Sequence, residues 1–413
     1  MIKAIITSDW HIGNNFHGYD RLEDHQDYFR QLSELIKDEQ PDALFVCGDI
    51  FDNANPSAVS QELYFSTLNR LTEENPRLQV TIIAGNHDSA SRMEAPSPFL
   101  TQRHIHVIGT VQWNDGRINY ARHILPVHSL KSPSETLICL AIPYLRDGDY
   151  PKEDSYGKSV SAFISECLKE ADRTYGHTLP KVLLAHLYAT GSEIAEGSSE
   201  RIIVGGSEQV DASGWNLEIV YTALGHIHRR QRVSGRENMR YCGSALPMSF
   251  TERNYKHGAD ILTVNADGTF RLESRDFRLL HPLLSFPEKA LPWEELKQEI
   301  SRLPSVNDPA APEYYLQLNV FIESTDPSLT TKVEEALKDR KVKLCKIQPF
   351  YPHMTEDDDL LDIQSLDTLR NLEPIDMLKK IYQNKKHCEM RKELLPLVKQ
   401  AIKEAIEEKQ GQA

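Results

Sequence analysis

The stretch GNHDSASR, Gly85 to Arg92, follows the apolar run VTIIA, Val80 to Ala84. A short apolar run that ends at a glycine reads as a buried strand. Asn86, His87 and Asp88 then stand where that strand stops. Three polar side chains at a strand's end are either a turn or part of a site, and the rest of the chain decides which.

Two similar runs precede this one. KAIITSD closes on Asp9, and DALFVCGD closes on Asp49. Between them, Asp24 to Asp38 sets Phe29, Leu32, Leu35 and Ile36 on one face, which predicts an amphipathic helix. Ser57 to Thr72 predicts another. Strands alternating with helices predict an α/β sheet, and TLICLAIPYL, KVLLAHL and IVYTALGHIH add further buried strands.

After HPLLSFPEKALP the texture changes. Trp293 to Leu303 predicts a helix. YYLQLNVFIE alternates Leu316, Leu318 and Val320 with Gln317 and Asn319, as a half-buried strand does. DPSLTTKVEEALKDR predicts a capped helix with Pro327 in its first turn, and KVKLCKIQPF closes a small α+β unit. HMTEDDDLLD is an acidic linker. Two terminal helices follow, the second with Leu394, Val398, Ile402 and Ile406 four residues apart.

At 413 residues the chain exceeds one ordinary core, so two or three domains are expected. An apolar share of 40% beside 26% charged residues describes a globular chain rather than a disordered one. No apolar run nears the ~20 residues that span a bilayer, and MIKAIITSDWH lacks the features of a leader. The six cysteines are scattered without a CxxC pair, and Cys47 and Cys139 fall in apolar runs, which fits a reducing cytoplasm. The formal charge of −14 repels phosphate backbones at long range. A nucleic-acid partner therefore needs a local or borrowed source of attraction.

Asn86 and His87 have counterparts at the other strand ends. Asp9 and His11 close the first as SDWH, and Asp49 and Asp52 close the second as GDIFD. His186 ends LLAH, and His226 and His228 end GHIH. Ligands in open α/β sheets gather outside the carboxyl ends of strands. A mixed set of carboxylate, amide and imidazole suits Mn, Fe or Zn better than Ca or Mg alone. Seven donors suffice for two ions ~3.5–4 Å apart if one carboxylate bridges, an arrangement that serves in-line attack on phosphorus. A single D-x-H or H-x-H is more often a chance surface pair; five such clusters in this order are not.

The pattern D-x-H, G-D-x-x-D, G-N-H-D, H, G-H-x-H resembles that of the calcineurin-like metallophosphoesterases. The resemblance implies an α/β protein whose core is a β-sandwich flanked by helices. It implies that Asp9, His11 and His228 bind one metal, that Asn86, His186 and His226 bind the other, and that Asp49 bridges. His87 is then the catalytic acid that protonates the departing oxygen. Asp88 either orients His87 or caps the following turn.

TSDWHIGNNF, IPYLRD, ALGHIHRRQ and RYCGSALPMSF are similar to the bacterial SbcD nucleases, DNA repair and recombination enzymes that work with an SMC-like ATPase of the SbcC type. This implies a nuclease domain over 1–278, an α+β capping domain over 279–352, and a linker with partner-binding helices over 353–413. It implies exonuclease action on duplex ends and endonuclease action on hairpins or single strands. It also implies two divalent ions, Mn first with Mg, Fe or Zn as alternatives, and a homodimer within a heterotetramer. Asp52 stands where some relatives outside bacteria carry a DNA-touching histidine, so it is expected to support the ligands from behind.

HRRQRVSGRENMR holds Arg229, Arg230, Arg232, Arg236 and Arg240 beside one acid, Glu237. It reads equally as a phosphate-tracking rim and as a solvated hairpin. The terminal apolar stripe reads as an intramolecular packing face or as a dock for the ATPase, the latter favoured. YGKS, Tyr156 to Ser159, ends like a phosphate-binding loop, but Lys152 occupies the place of the first glycine. His104 and His106 mimic a metal pair without an acidic partner. The remaining rivals are a small-molecule phosphodiesterase or nucleotidase on the same fold, and a structural subunit with a decayed site, which the complete donor set opposes.

Overall fold

A computed structural model gives the fold and describes residues 1–193, 209–215, 218–322 and 327–351. The principal strands run β1 (Ile2–Thr7), β2 (Ala43–Cys47), β3 (Gln79–Ile83), β4 (Ile105–Ile108), β5 (Ile124–His128) and β6 (Thr136–Ile142). They continue as β7 (Lys181–His186), β8 (Tyr221–Gly225), β9 (Gln231–Arg232), β10 (Met239–Tyr241), β11 (Gly258–Val264) and β12 (Phe270–Asp276). Two six-stranded sheets result, ordered β12-β11-β1-β2-β3-β4 and β9-β10-β8-β7-β6-β5. β1 to β4 are parallel, as are β6, β7, β8 and β10. Antiparallel strands complete each sheet.

Side chains alternate along a strand, and here both faces find apolar partners. Ile2, Ala4 and Ile6 of β1 and Ala43, Phe45 and Cys47 of β2 share a core with Cys139 and Ala141 of β6 and Val182 and Leu184 of β7. The intervening Ile5, Leu44 and Val46 pack with residues of helices α1 (Leu22–Glu39) and α2 (Ala58–Glu74). Leu183 and Ala185 pack with Val160, Phe163 and Ile164 of α3 (Tyr156–Tyr175). The layers are helix, sheet, sheet, helix. Burial on both faces is why these strands read as unbroken apolar runs, and each fully buried Leu, Ile or Phe contributes about 1.5–3 kcal/mol.

The predicted helices fall within two residues of α1 and α2. Ser57 caps α2 by accepting from the Ser60 N–H at 3.1 Å, an arrangement that contributes about 1 kcal/mol. Tyr156–Ser159 forms the first turn of α3, capped by Ser155. The hairpin β11–β12 was not predicted, because β12 is largely exposed and polar, with no apolar run to mark it.

A smaller, three-stranded sheet follows. β13 (Leu283–Leu291), β14 (Tyr314–Phe321) and β15 (Val342–Phe350) form it, with helices α4 (Trp293–Ile300) and α5 (Leu329–Leu337). Leu296, Ile300, Leu316, Leu318, Val320 and Val333 make its core. α4 stops at Ile300 rather than Leu303, and α5 begins beyond Pro327 without a side-chain cap. Tyr315 of β14 packs on Phe16, which packs on Phe250, with ring centroids 5.2 and 5.3 Å apart. The acidic linker and the stripe from Leu394 to Ile406 lie outside the described residues. No described helix is long and apolar enough to cross a membrane.

Candidate metal centre

The carboxyl ends of β1, β2, β3, β7 and β8 carry the predicted donors, His186 as the last residue of β7 and the others in the loops that follow. Their backbones are unusual. Asp9, His11, Asp49 and His226 have φ of 49°, 45°, 48° and 99°. Left-handed backbone at a residue with a side chain costs on the order of 1–3 kcal/mol and persists only where surrounding structure enforces it. Here the loops clip one another. Asp9 N–H donates to Gly48 O at 2.9 Å, His11 N–H to Asp49 O at 3.0 Å, and His226 N–H to the Asp9 carboxylate at 3.0 Å. Two motif glycines are demanded by contact: a Cβ on Gly85 would overlap the Asp49 carboxylate, and one on Gly225 the Cys47 carbonyl.

The result is two adjacent clusters. Ligand atoms of Asp9, His11 and His228 lie within 4.8 Å of one another, and so do those of Asp49, His186 and His226. Asn86 joins the second: its Oδ1 is 2.9 Å from His186 Nε2 and 3.0 Å from His226 Nδ1. Asp49 stands between the clusters, its Oδ2 3.3 Å from His186 Nε2 and 3.7 Å from His11 Nε2. Each cluster takes donors from both large sheets.

These residues fit divalent cations. Both ring nitrogens of His11 are buried without a hydrogen bond, a costly condition that a coordinated ion would relieve. His186 Nδ1 faces the Cys47 carbonyl at 2.8 Å, which turns Nε2 toward Asn86 and Asp49. Burial alone would lower His186, but the Asp49 carboxylate reverses this and holds it at about 9. Burial likewise pushes Asp49 up, yet His186, His11 and His87 together keep it well below the usual carboxylate range. Burial and the charge on His186 push His226 down to about 3. A cation binding there takes the place of the proton on His186. Two such ions would polarise a phosphoryl group and lower the pKa of a water beside it.

His87 is exposed, and its ring lies 5.0 Å from that of His11. Its N–H donates to Asp49 Oδ1 at 2.9 Å, and its Nδ1 donates to the Asp52 carbonyl at 2.9 Å. Nε2 is thus left for a substrate. Asp88 does not orient this ring. Its buried carboxylate accepts from the backbone N–H groups of Gly85, Phe51 and Ile50 at 2.8, 2.9 and 3.1 Å, tying the loops after β2 and β3 together. Burial and the Asp49 carboxylate raise it to about 6. The Asp52 carboxylate lies 3.4 Å from His11 Nδ1 and accepts from Asn14.

Residues 2–230 match the family model described as calcineurin-like phosphoesterase, and residues 280–386 match that described as type 5 capsule protein repressor C-terminal domain. The SbcD subunit of the nuclease SbcCD from Rhodobacter capsulatus is 31% identical over 355 residues, 83% of this chain and 86% of that one. Its namesake from Bacillus subtilis is 33% identical, over 63% and 66% of the two chains. That from Escherichia coli K12 is 26% identical, over 72% and 76%. The chain belongs to the SbcD nucleases.

All seven donors of this SbcD-type chain lie inside the phosphoesterase match. Two neighbours escaped sequence reasoning. Arg146, beyond β6, donates to the carbonyls of Asn86 and Asp88 at 3.3 and 3.1 Å and so holds the His87 loop. Its signal was its place at a strand's carboxyl end, in IPYLRD. Glu252 is fully buried beside His228 and lies just past RYCGSALPMSF.

The arginines divide. Arg230 has a side chain only 5% exposed, bound to Asp276 at 2.8 Å and beside Asp260 at 3.6 Å, and is a structural ion pair. Arg229 and Arg232 are exposed and paired with Glu193 and Glu237. A cleft of about 440 Å³ lined by Asp172, His177, Lys181, Glu218 and Asp267 lies at the amino ends of β7 and β8, away from these loops.

Proposed function

We propose that this nuclease hydrolyses DNA phosphodiesters with two divalent ions, manganese foremost. Asp9, His11 and His228 would hold one ion, Asn86, His186 and His226 the other, with Asp49 shared. The observation that carries this is the pair of clusters meeting at Asp49, with exposed His87 hydrogen-bonded to the same carboxylate. His87 keeps its Nδ1 proton on the Asp52 carbonyl and, when doubly protonated, delivers the Nε2 proton to the departing oxygen. Asp52 and Asp88 hold His11 and the loops in place. Arg229 and Arg232 are the DNA-facing charges; burial removes Arg230 from that role.

The name of the relatives denotes one component of SbcCD. In this reading, an SMC-like ATPase completes the enzyme in the cytoplasm, supplies much of the grip on DNA and offsets the chain's net negative charge. Two copies of this chain pair within that assembly. The nuclease domain spans 1–278, the capping domain 279–352, and 353–413 reaches the ATPase. Activity is exonucleolytic on duplex ends and endonucleolytic on hairpins or single strands.

The test is an Mn²⁺-dependent assay on blunt and hairpin duplexes, with and without the co-purified ATPase and ATP. Cleavage of both substrates is expected. Rapid turnover of a chromogenic phosphodiester with no cutting of DNA would establish the small-molecule rival instead.

A further inference from the structure

The segment from Ser244 to Arg253 lies outside the phosphoesterase match, yet it touches the metal centre at three points. Ser244 N–H donates to His228 O at 3.1 Å, and Ala245 N–H donates to Asp9 O at 3.1 Å. The third point is Glu252, which is fully buried, with Oε1 3.5 Å from His228 Nδ1. Its other oxygen accepts from Met248 N–H at 2.8 Å, and Oε1 also accepts from the Ser249 hydroxyl at 3.2 Å. The carboxylate is therefore held in place before any ion arrives.

A buried carboxylate is expensive unless it is paired, and the groups around this one include two hydrogen-bond donors and an imidazole. Metal-ligating histidines characteristically give their second nitrogen to such a carboxylate, which fixes ring orientation and strengthens the ligand. With Nδ1 turned to Glu252, His228 offers Nε2 to a cation shared with Asp9 and His11. Phe250, two residues earlier, packs on Phe16, which carries Tyr315 of the small sheet. The segment thus ties the first cluster to that sheet.

We propose that Glu252 is the positioning residue for His228, acting on the cluster of Asp9, His11 and His228 and not on the cluster of Asn86, His186 and His226. This rests on the two-ion reading above. The metal-free full chain is titrated calorimetrically with Mn²⁺ beside Glu252→Gln, and both are melted. The expected result is one ion weakened about 10–100-fold, with the other ion and the melting temperature unchanged. Two unchanged affinities would overturn the proposal, and so would equal weakening of both ions with a lower melting temperature. Should Glu252→Gln not fold, Glu252→Asp keeps the charge but withdraws it, and the same one-ion loss is expected; parental affinities there would overturn the proposal too. A parent chain that takes up no Mn²⁺ refutes both readings, whereas a parent with two ions beside an unchanged variant refutes only this one.

Discussion

The two donor clusters are built alike and left in different states. In the second, Asn86, His186, His226 and Asp49 already satisfy one another, through contacts of 2.9, 3.0 and 3.3 Å. In the first, His11 is buried with neither nitrogen hydrogen-bonded, and its nearest carboxylates stand at 3.4 and 3.7 Å. The second cluster closes on itself; the first leaves His11 facing Asp52 and Asp49 at longer range. The difference teaches that preorganisation and internal satisfaction are separate properties. The first cluster is held by backbone hydrogen bonds and by carboxylates outside it, Asp52 and Glu252, the second largely by its own side chains.

Substitutions can break this contrast in graded ways. Asp49→Ala removes the residue common to both clusters. It should abolish both ions and all cleavage, read by metal analysis and a nuclease assay; one retained ion would show that the carboxylate is not shared. Asn86→Ala touches only the second cluster and should lose one ion of two. Loss of both would show that the clusters do not bind separately. His87→Asn should leave metal content intact while cleavage falls about 10²–10⁴-fold, the usual worth of a general acid.

The smallest effect lies away from both clusters. His123 is buried on Phe163, and its Nδ1 donates to the Ala141 carbonyl at 2.9 Å. Burial lowers it to about 4 from an ordinary 6.5. The unfolded chain therefore takes up this proton first as the pH falls. Stability from this group is complete above about 6.5 and declines toward pH 4, by about 3 kcal/mol in all. His123→Asn should flatten the fall in melting temperature across that range, and should do so equally with and without Mn²⁺.

Much of this was legible because the two large sheets are buried on both faces. Their strands advertise themselves as apolar runs, and every donor follows directly where a run ends. The sandwich itself was implied by family resemblance rather than by pattern, since Ile2 and Ile5 look alike in sequence while facing different layers. β12 was hidden by its exposed, charged composition. Arg146 and Glu252 were missed for a related reason: each acts on a residue far away in sequence, Asn86 in one case and His228 in the other, and no local spacing records that. Asp88 was legible as a candidate with its role left open, because its partners are backbone amides that carry no side-chain signature.

That each cluster straddles the two sheets has a consequence for the cell that makes this chain. Asp9 and His11 leave the ribosome early, but the partner that completes their cluster, His228, emerges more than two hundred residues later. Neither half of the sandwich can assemble a cutting centre by itself. A chain halted before residue 226 would lack His226 and His228 and could complete neither donor cluster.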